Sequence, residues 1–84
     1  MEEKQIGKIT HFFSKIGVGV IELSDGLKVG DTIKIVGGDR EFIQTVDSMQ
    51  VEHENVSEGK IGESVGLKLD EISRPGDKVY RVIE

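Results

Sequence analysis

The stretch LKVGDTIKIVGG, Leu27 to Gly38, is answered near the end of the chain by RPGDKVYRV, Arg74 to Val82. Each writes Gly-Asp, then a polar residue, then a run rich in β-branched and aromatic side chains. Gly30 and Gly76 tolerate the positive φ of a sharp corner, and Asp31 and Asp77 carry short carboxylates that can accept from nearby backbone amides. We read Gly-Asp as a corner that opens a strand, used twice. Within TIKIV, Ile33 and Ile35 face one way while Thr32 and Lys34 face the other, the pattern of a half-buried strand.

Working outward, strands are expected at Gln5–Phe13, Val18–Leu23, Thr32–Val36, Glu41–Glu54, Ser64–Leu69 and Lys78–Ile83. GGDRE, Gly37 to Glu41, reads as a tight hairpin, and Ser24-Asp25-Gly26 as a turn. From Val56 to Val65, Ser57 is a possible helix N-cap, but Gly59 and Gly62 would each cost about 1 kcal/mol in a helix interior, so a loop with at most one turn is expected. The alternation slips in two places. Ile6 and Phe12 share a parity that Ile9 does not, and Phe42 and Val46 oppose Ile43, Met49 and Val51. Such slips point to bulges, by which strands coil around a small barrel. Met49 is expected in the core, and Arg74 is expected to pair with Asp70 or Glu71.

The 84 residues suffice for one domain, spanning 1–84, and the absence of cysteine excludes a disulfide framework or thiolate zinc site. Eleven Lys and Arg against sixteen Asp and Glu give a net charge of −5, which opposes tight non-specific phosphate binding. The acid is concentrated between Glu41 and Glu58, leaving one face neutral or mildly basic. MEEKQIGKIT puts acid where a signal peptide is basic, and no apolar run approaches the roughly 20 residues that cross a bilayer, so a cytoplasmic protein without membrane contact is expected.

Sequence patterns for catalysis and cofactors are missing. IGKIT lacks the spacing of a phosphate-binding loop, and in GVGVIE Glu22 stands where a dinucleotide fingerprint needs its third glycine. No nucleotide or other cofactor is expected. Glu52-His53-Glu54, read on a strand, puts His53 on the side opposite the two glutamates, so no metal site is expected. The serines have no visible neighbouring base, and no enzymatic activity is expected. The most promising surface is KITHFFSK, Lys8 to Lys15, where cations lie beside aromatic rings in the manner of single-strand nucleic-acid binders. Adjacent Phe12 and Phe13 cannot both enter the core from a regular strand; either a bulge buries both or one ring is exposed.

Taken together, IGKITHFFSKIGVGVIELSDGLKVGDTIKIVGG, VDSMQ, EGKIGESVGLKL and RPGDKVYRV, from about Ile6 to Val82, resemble the second-domain barrel of elongation factor Tu-type translational GTPases. They are similar also to small translation elongation factor-like proteins and to the C-terminal barrel of collagenase-like bacterial peptidases. The resemblance implies an all-β fold, a closed six- or seven-stranded antiparallel β-barrel. It also implies a non-enzymatic binding module contacting tRNA or a ribonucleoprotein through Thr10 to Gly17. With the neighbouring cation added, the candidate binding residues are Lys8, Thr10, His11, Phe12, Lys15 and Gly17. The alternative is a protein-interaction module serving a peptidase-like or RNA-modifying partner.

Overall fold

The computed structural model describes residues 2–83, which form ten strands and no helix. They are β1 (Glu2–Phe13), β2 (Val18–Leu23), β3 (Leu27–Lys28), β4 (Thr32–Gly37), β5 (Arg40–Thr45), β6 (Met49–Val51), β7 (Glu54–Val56), β8 (Glu58–Gly59), β9 (Ser64–Lys68) and β10 (Lys78–Ile83). Eight join one antiparallel sheet in the order β5-β4-β10-β1-β2-β9-β6-β7, while β3 and β8 form a separate ribbon. Eight flat strands would be about 34 Å wide at the usual inter-strand spacing. The molecule measures 30 × 28 × 20 Å, so the sheet curls. Its inner face closes on a single core built from Ile6, Ile9, Ile21, Ile33, Ile35 and Val79, joined by residues such as Met49 and Val65.

Five of the six expected strands appear with boundaries matched to within three residues, and the tight β4–β5 hairpin turns through Gly38 and Asp39 as expected. The expected strand Glu41–Glu54 does not exist as one element. It breaks after Thr45 into β5, β6 and the start of β7, which explains why Val46 and Met49 are both buried despite opposite parity. The loop expected between Val56 and Val65 contains β8, whose two residues pair with β3.

The slip in β1 has the anticipated cause. One irregularity lies between Gln5 and Gly7 in the register with β10, and another between Ile9 and His11 in the register with β2. Two bulges turn Ile6, Ile9 and Phe12, three residues apart, toward one core.

The ladders do not close into the expected ring: β5 and β7 are the ends of the sheet, with no ladder between them among the described residues. Instead, side chains of β5 reach the segment that follows β9. Gln44 donates from Nε2 to the Lys68 carbonyl at 2.9 Å and accepts from the Asp70 amide at 2.7 Å. Arg40 donates to the Ile72 carbonyl at 3.0 Å. A buried primary amide offers the same donor and acceptor as a peptide unit, so Gln44 satisfies backbone groups that a ladder would otherwise satisfy.

The Gly-Asp corner proves to be used three times. In Lys28-Val29-Gly30-Asp31, Lys60-Ile61-Gly62-Glu63 and Arg74-Pro75-Gly76-Asp77, the third residue is a glycine with φ of 98°, 87° and 98°. The amide of the first residue donates to the acidic side chain of the fourth at 2.9, 2.7 and 2.9 Å. The amide of the fourth returns to the carbonyl of the first at 3.0–3.1 Å, closing a turn whose third position requires positive φ. Each corner then exchanges two backbone bonds with one residue of another segment: Val46, Leu23 and Ile9, respectively.

Candidate functional site

β1 and its neighbours assemble the surface anticipated between Lys8 and Gly17. Lys8 is exposed and directly opposite Lys78 on β10, a like-charge pair that costs stability, with Glu22 on its other side. Thr10 occupies the second bulge and donates from Oγ1 to the Val20 carbonyl at 3.3 Å, so its side chain secures the bend. Beyond the bulge, His11 and Phe13 point outward and stack, with ring centroids 6.3 Å apart and planes inclined by 25°. Phe12 turns inward and packs against the core, whereas Phe13 remains 51% exposed. The candidate ring is therefore Phe13 rather than Phe12, because the bulge shifts the phase by one residue.

The hairpin turn Ser14–Gly17 closes through amides of Ile16 and Gly17 donating to the Phe13 carbonyl at 3.2 and 2.8 Å. Gly17 adopts φ of 68° and its carbonyl accepts from Leu69, which makes it a structural residue. Lys15 stands exposed at the tip beside Ile16, which is 63% exposed.

Charge is partitioned across the molecule. Lys4, Lys28, Lys34, Arg40 and Arg81 are engaged in ion pairs. Lys34 bridges Glu3 and Glu41, which raises its pKa, mainly through the hydrogen bond to Glu3. Asp25 lies between Lys4 and Arg81 and has its pKa lowered, chiefly by the hydrogen bond from Lys4. Lys8, Lys15, Lys60, Lys68, Arg74 and Lys78 form no ion pair among the described residues. All but Lys60 lie around β1 and its hairpin: Lys78 opposite Lys8, Lys68 opposite Val18 of β2, and Arg74 in the corner bonded to Ile9. Arg74 does not form the expected pair with Asp70 or Glu71. The tight turn instead commits its amide to Asp77, whose carboxylate is also met by Arg40 at 3.4 Å.

Beside the His11–Phe13 stack lies a groove of about 280 Å³. Phe13 and Ile16 line one side, and Val18 and Val20 of β2 with Gly66 of β9 line its floor. Gln50, Glu52 and His53 line the far rim. Glu52 and His53 are not on a strand, contrary to the expectation for Glu52-His53-Glu54. They form the two-residue β6–β7 turn with φ of 51° and 67°, a conformation that asparagine and glycine adopt far more readily and that costs about 1 kcal/mol or more per ordinary residue. Among the described residues no three His, Asp or Glu side chains gather as a metal site would need.

A larger cleft of about 590 Å³ opens beside the β3–β8 ribbon, but its charges are mostly spent internally. Lys28 meets Glu58 at 3.7 Å, and Arg81 donates to the Gly26 carbonyl at 2.6 Å. The smaller groove, lined by the exposed Phe13 of the aromatic stack, is the better candidate. Sequence reading missed Phe13, Lys68, Arg74, Lys78 and the groove residues, since their grouping depends on strand register; Lys78, one residue past the Gly-Asp corner, was the one most open to detection.

No family model matches the chain. It is 43% identical over 81 residues to an uncharacterized protease of Methanocaldococcus jannaschii, covering 95% of this chain and 20% of that protein. It is 33% identical over 82 residues to a collagenase of Porphyromonas gingivalis, covering 95% of this chain and 23% of the relative. The chain thus spans about a fifth of the length of these curated relatives and is homologous to a segment of each. The crystal structure of the C-terminal domain of a putative U32 peptidase from Geobacillus thermoleovorans has the same fold: TM-score 0.89 at 13% identity, covering 95% of this chain and 93% of that one. Its selenomethionine variant matches at 0.86 with 14% identity, covering 90% and 96%. The peptidase half of the resemblance is supported by these relatives, and the translation-factor half rests on sequence pattern alone.

Proposed function

We propose that this domain is a non-catalytic accessory module that binds single-stranded or looped RNA through the surface of β1 and the β1–β2 hairpin. The observation that carries this reading is that Lys8, Lys15, Lys68, Arg74 and Lys78, which lie on β1, its hairpin or segments bonded to β1 and β2, form no ion pair among the described residues, and that β1 also carries the exposed His11–Phe13 stack; the other cations, Lys60 apart, are engaged in ion pairs. Bases stack on exposed rings at about 1–3 kcal/mol each while cations follow the phosphates. The net charge of −5 limits affinity at a distance but does not cancel a local basic strip.

Fluorescence anisotropy with labelled tRNA and single-stranded RNA at about 50 and 150 mM salt tests this directly. Binding should weaken several-fold between the two salts, and Lys8→Glu with Lys78→Glu should abolish it while the circular dichroism spectrum stays unchanged. Binding unaffected by the charge reversal in a folded protein would overturn the proposal.

A second reading has its own observation. The apolar groove edged by Phe13 and Ile16, together with homology to a segment of longer proteases, favours docking onto a peptidase-like protein. That reading predicts association with little salt dependence, disrupted by Ile16→Lys rather than by Lys8→Glu.

A further inference from the structure

We infer that the groove between the β1–β2 hairpin and the β6–β7 turn receives one unpaired nucleobase, and that its far rim selects guanine; this inference rests on the RNA reading above. At about 280 Å³ the groove is at the small end for ligand sites, matched to a single ring system rather than a duplex. Its apolar floor at Val18, Val20 and Gly66 offers a flat base a contact surface beside Phe13.

The rim decides the base. Gln50 donates one Nε2–H to Asn55 Oδ1 at 3.2 Å and keeps Oε1 and a second N–H, and His53 and Ser64 on the lining can likewise donate or accept. Glu52 adds a carboxylate that forms no ion pair among the described residues. Glu52 alone is acceptor-only, and guanine is the base whose Watson–Crick edge presents two adjacent donors, N1–H and the N2 amino group, to a carboxylate. A uracil edge offers a single donor, N3–H, between two carbonyl oxygens, one of which would face the carboxylate.

The backbone points the same way. Glu52 and His53 both sit at positive φ in a two-residue turn that Asn-Gly would satisfy with less strain. Conformational preference does not account for these residues there; two side chains placed on the rim of a groove do.

The test uses fluorescein-labelled RNA decamers of uridine carrying G, A, C or U at the centre, titrated with the full chain at low salt. The G-centred decamer should bind about tenfold more tightly than the all-U one. Glu52→Gln should reduce that preference below about threefold, because an amide oxygen can no longer accept from both guanine donors. The double variant Glu52→Asn, His53→Gly should raise the melting temperature and lose the preference, which separates recognition from folding. Equal binding of all four decamers, or a guanine preference that survives in Glu52→Gln, would overturn the guanine pocket alone. No binding of any decamer would overturn both the pocket and the RNA reading beneath it.

Discussion

The corner at Asp77 and the corner at Asp31 share every backbone bond, yet their carboxylates lead different lives. Asp31 is partly exposed and caps one amide, that of Lys28. Asp77 is only 8% exposed; it caps Arg74, faces Arg40, and lies directly against Gly37 on the adjoining strand β4. One motif thus serves as a surface turn in one place and as a buried junction of three segments in the other. The comparison separates the conformational cost of a corner, fixed by its glycine, from the worth of its acid, fixed by what surrounds it.

Asp77→Ala should break the comparison most sharply, destabilising the domain by about 3 kcal/mol, because it leaves a part-buried amide without its acceptor and removes the partner of Arg40. Asp31→Ala and Glu63→Ala should each cost only about 1 kcal/mol in the same urea melts. Next is Gly37→Ala, whose added methyl would collide with the Asp77 carboxylate; a cost of about 2 kcal/mol is expected, falling sharply when Asp77 is already alanine. A double-mutant cycle measures that coupling, and additive costs would refute the contact. The glycines themselves should sharpen the comparison by being alike. A Cβ at Gly30, Gly62 or Gly76 meets nothing within 4 Å, so alanine at each should cost a similar amount, about 1–2 kcal/mol, from backbone strain alone.

The smallest effect expected is that of pH. The lowered pKa of Asp25 means that its contribution is present at neutral pH and is lost as pH falls below the ordinary value of 3.8 through the folded-state value. The raised pKa of Lys34 means that its contribution is present below 10.5 and is lost as pH rises through the folded-state value. Lys34 and Asp25 each keep part of the side chain in solvent beside more exposed partners, so thermal melts between these limits should change little.

Legibility followed the range of the interaction. Gly30-Asp31 and Gly76-Asp77 could be read from sequence because a turn is decided by four neighbouring residues. Gly62-Glu63 escaped because a longer acid replaced aspartate, although it makes the same bond. The bulges in β1 were signalled by Ile6, Ile9 and Phe12, but their positions were not, and the error of taking Phe12 for Phe13 came from that one-residue ambiguity. The break between β5 and β6 was invisible because VDSMQ reads as well along a bent strand as between two. Least legible was the site. Lys8 and Lys78 are 70 residues apart in sequence and neighbours only through the β1–β10 register, and the groove draws on three segments brought side by side by the β2–β9 and β6–β9 pairings.

The seam beside β5 has a mechanical consequence. A ring sealed by backbone ladders has a circumference quantised by its register, and can change only by breaking rows of hydrogen bonds together. Here the closure hangs on two side chains, Gln44 and Arg40, each with rotatable bonds between its anchor and its grip. The seam can therefore be weakened one side chain at a time, while every ladder in the sheet stays intact.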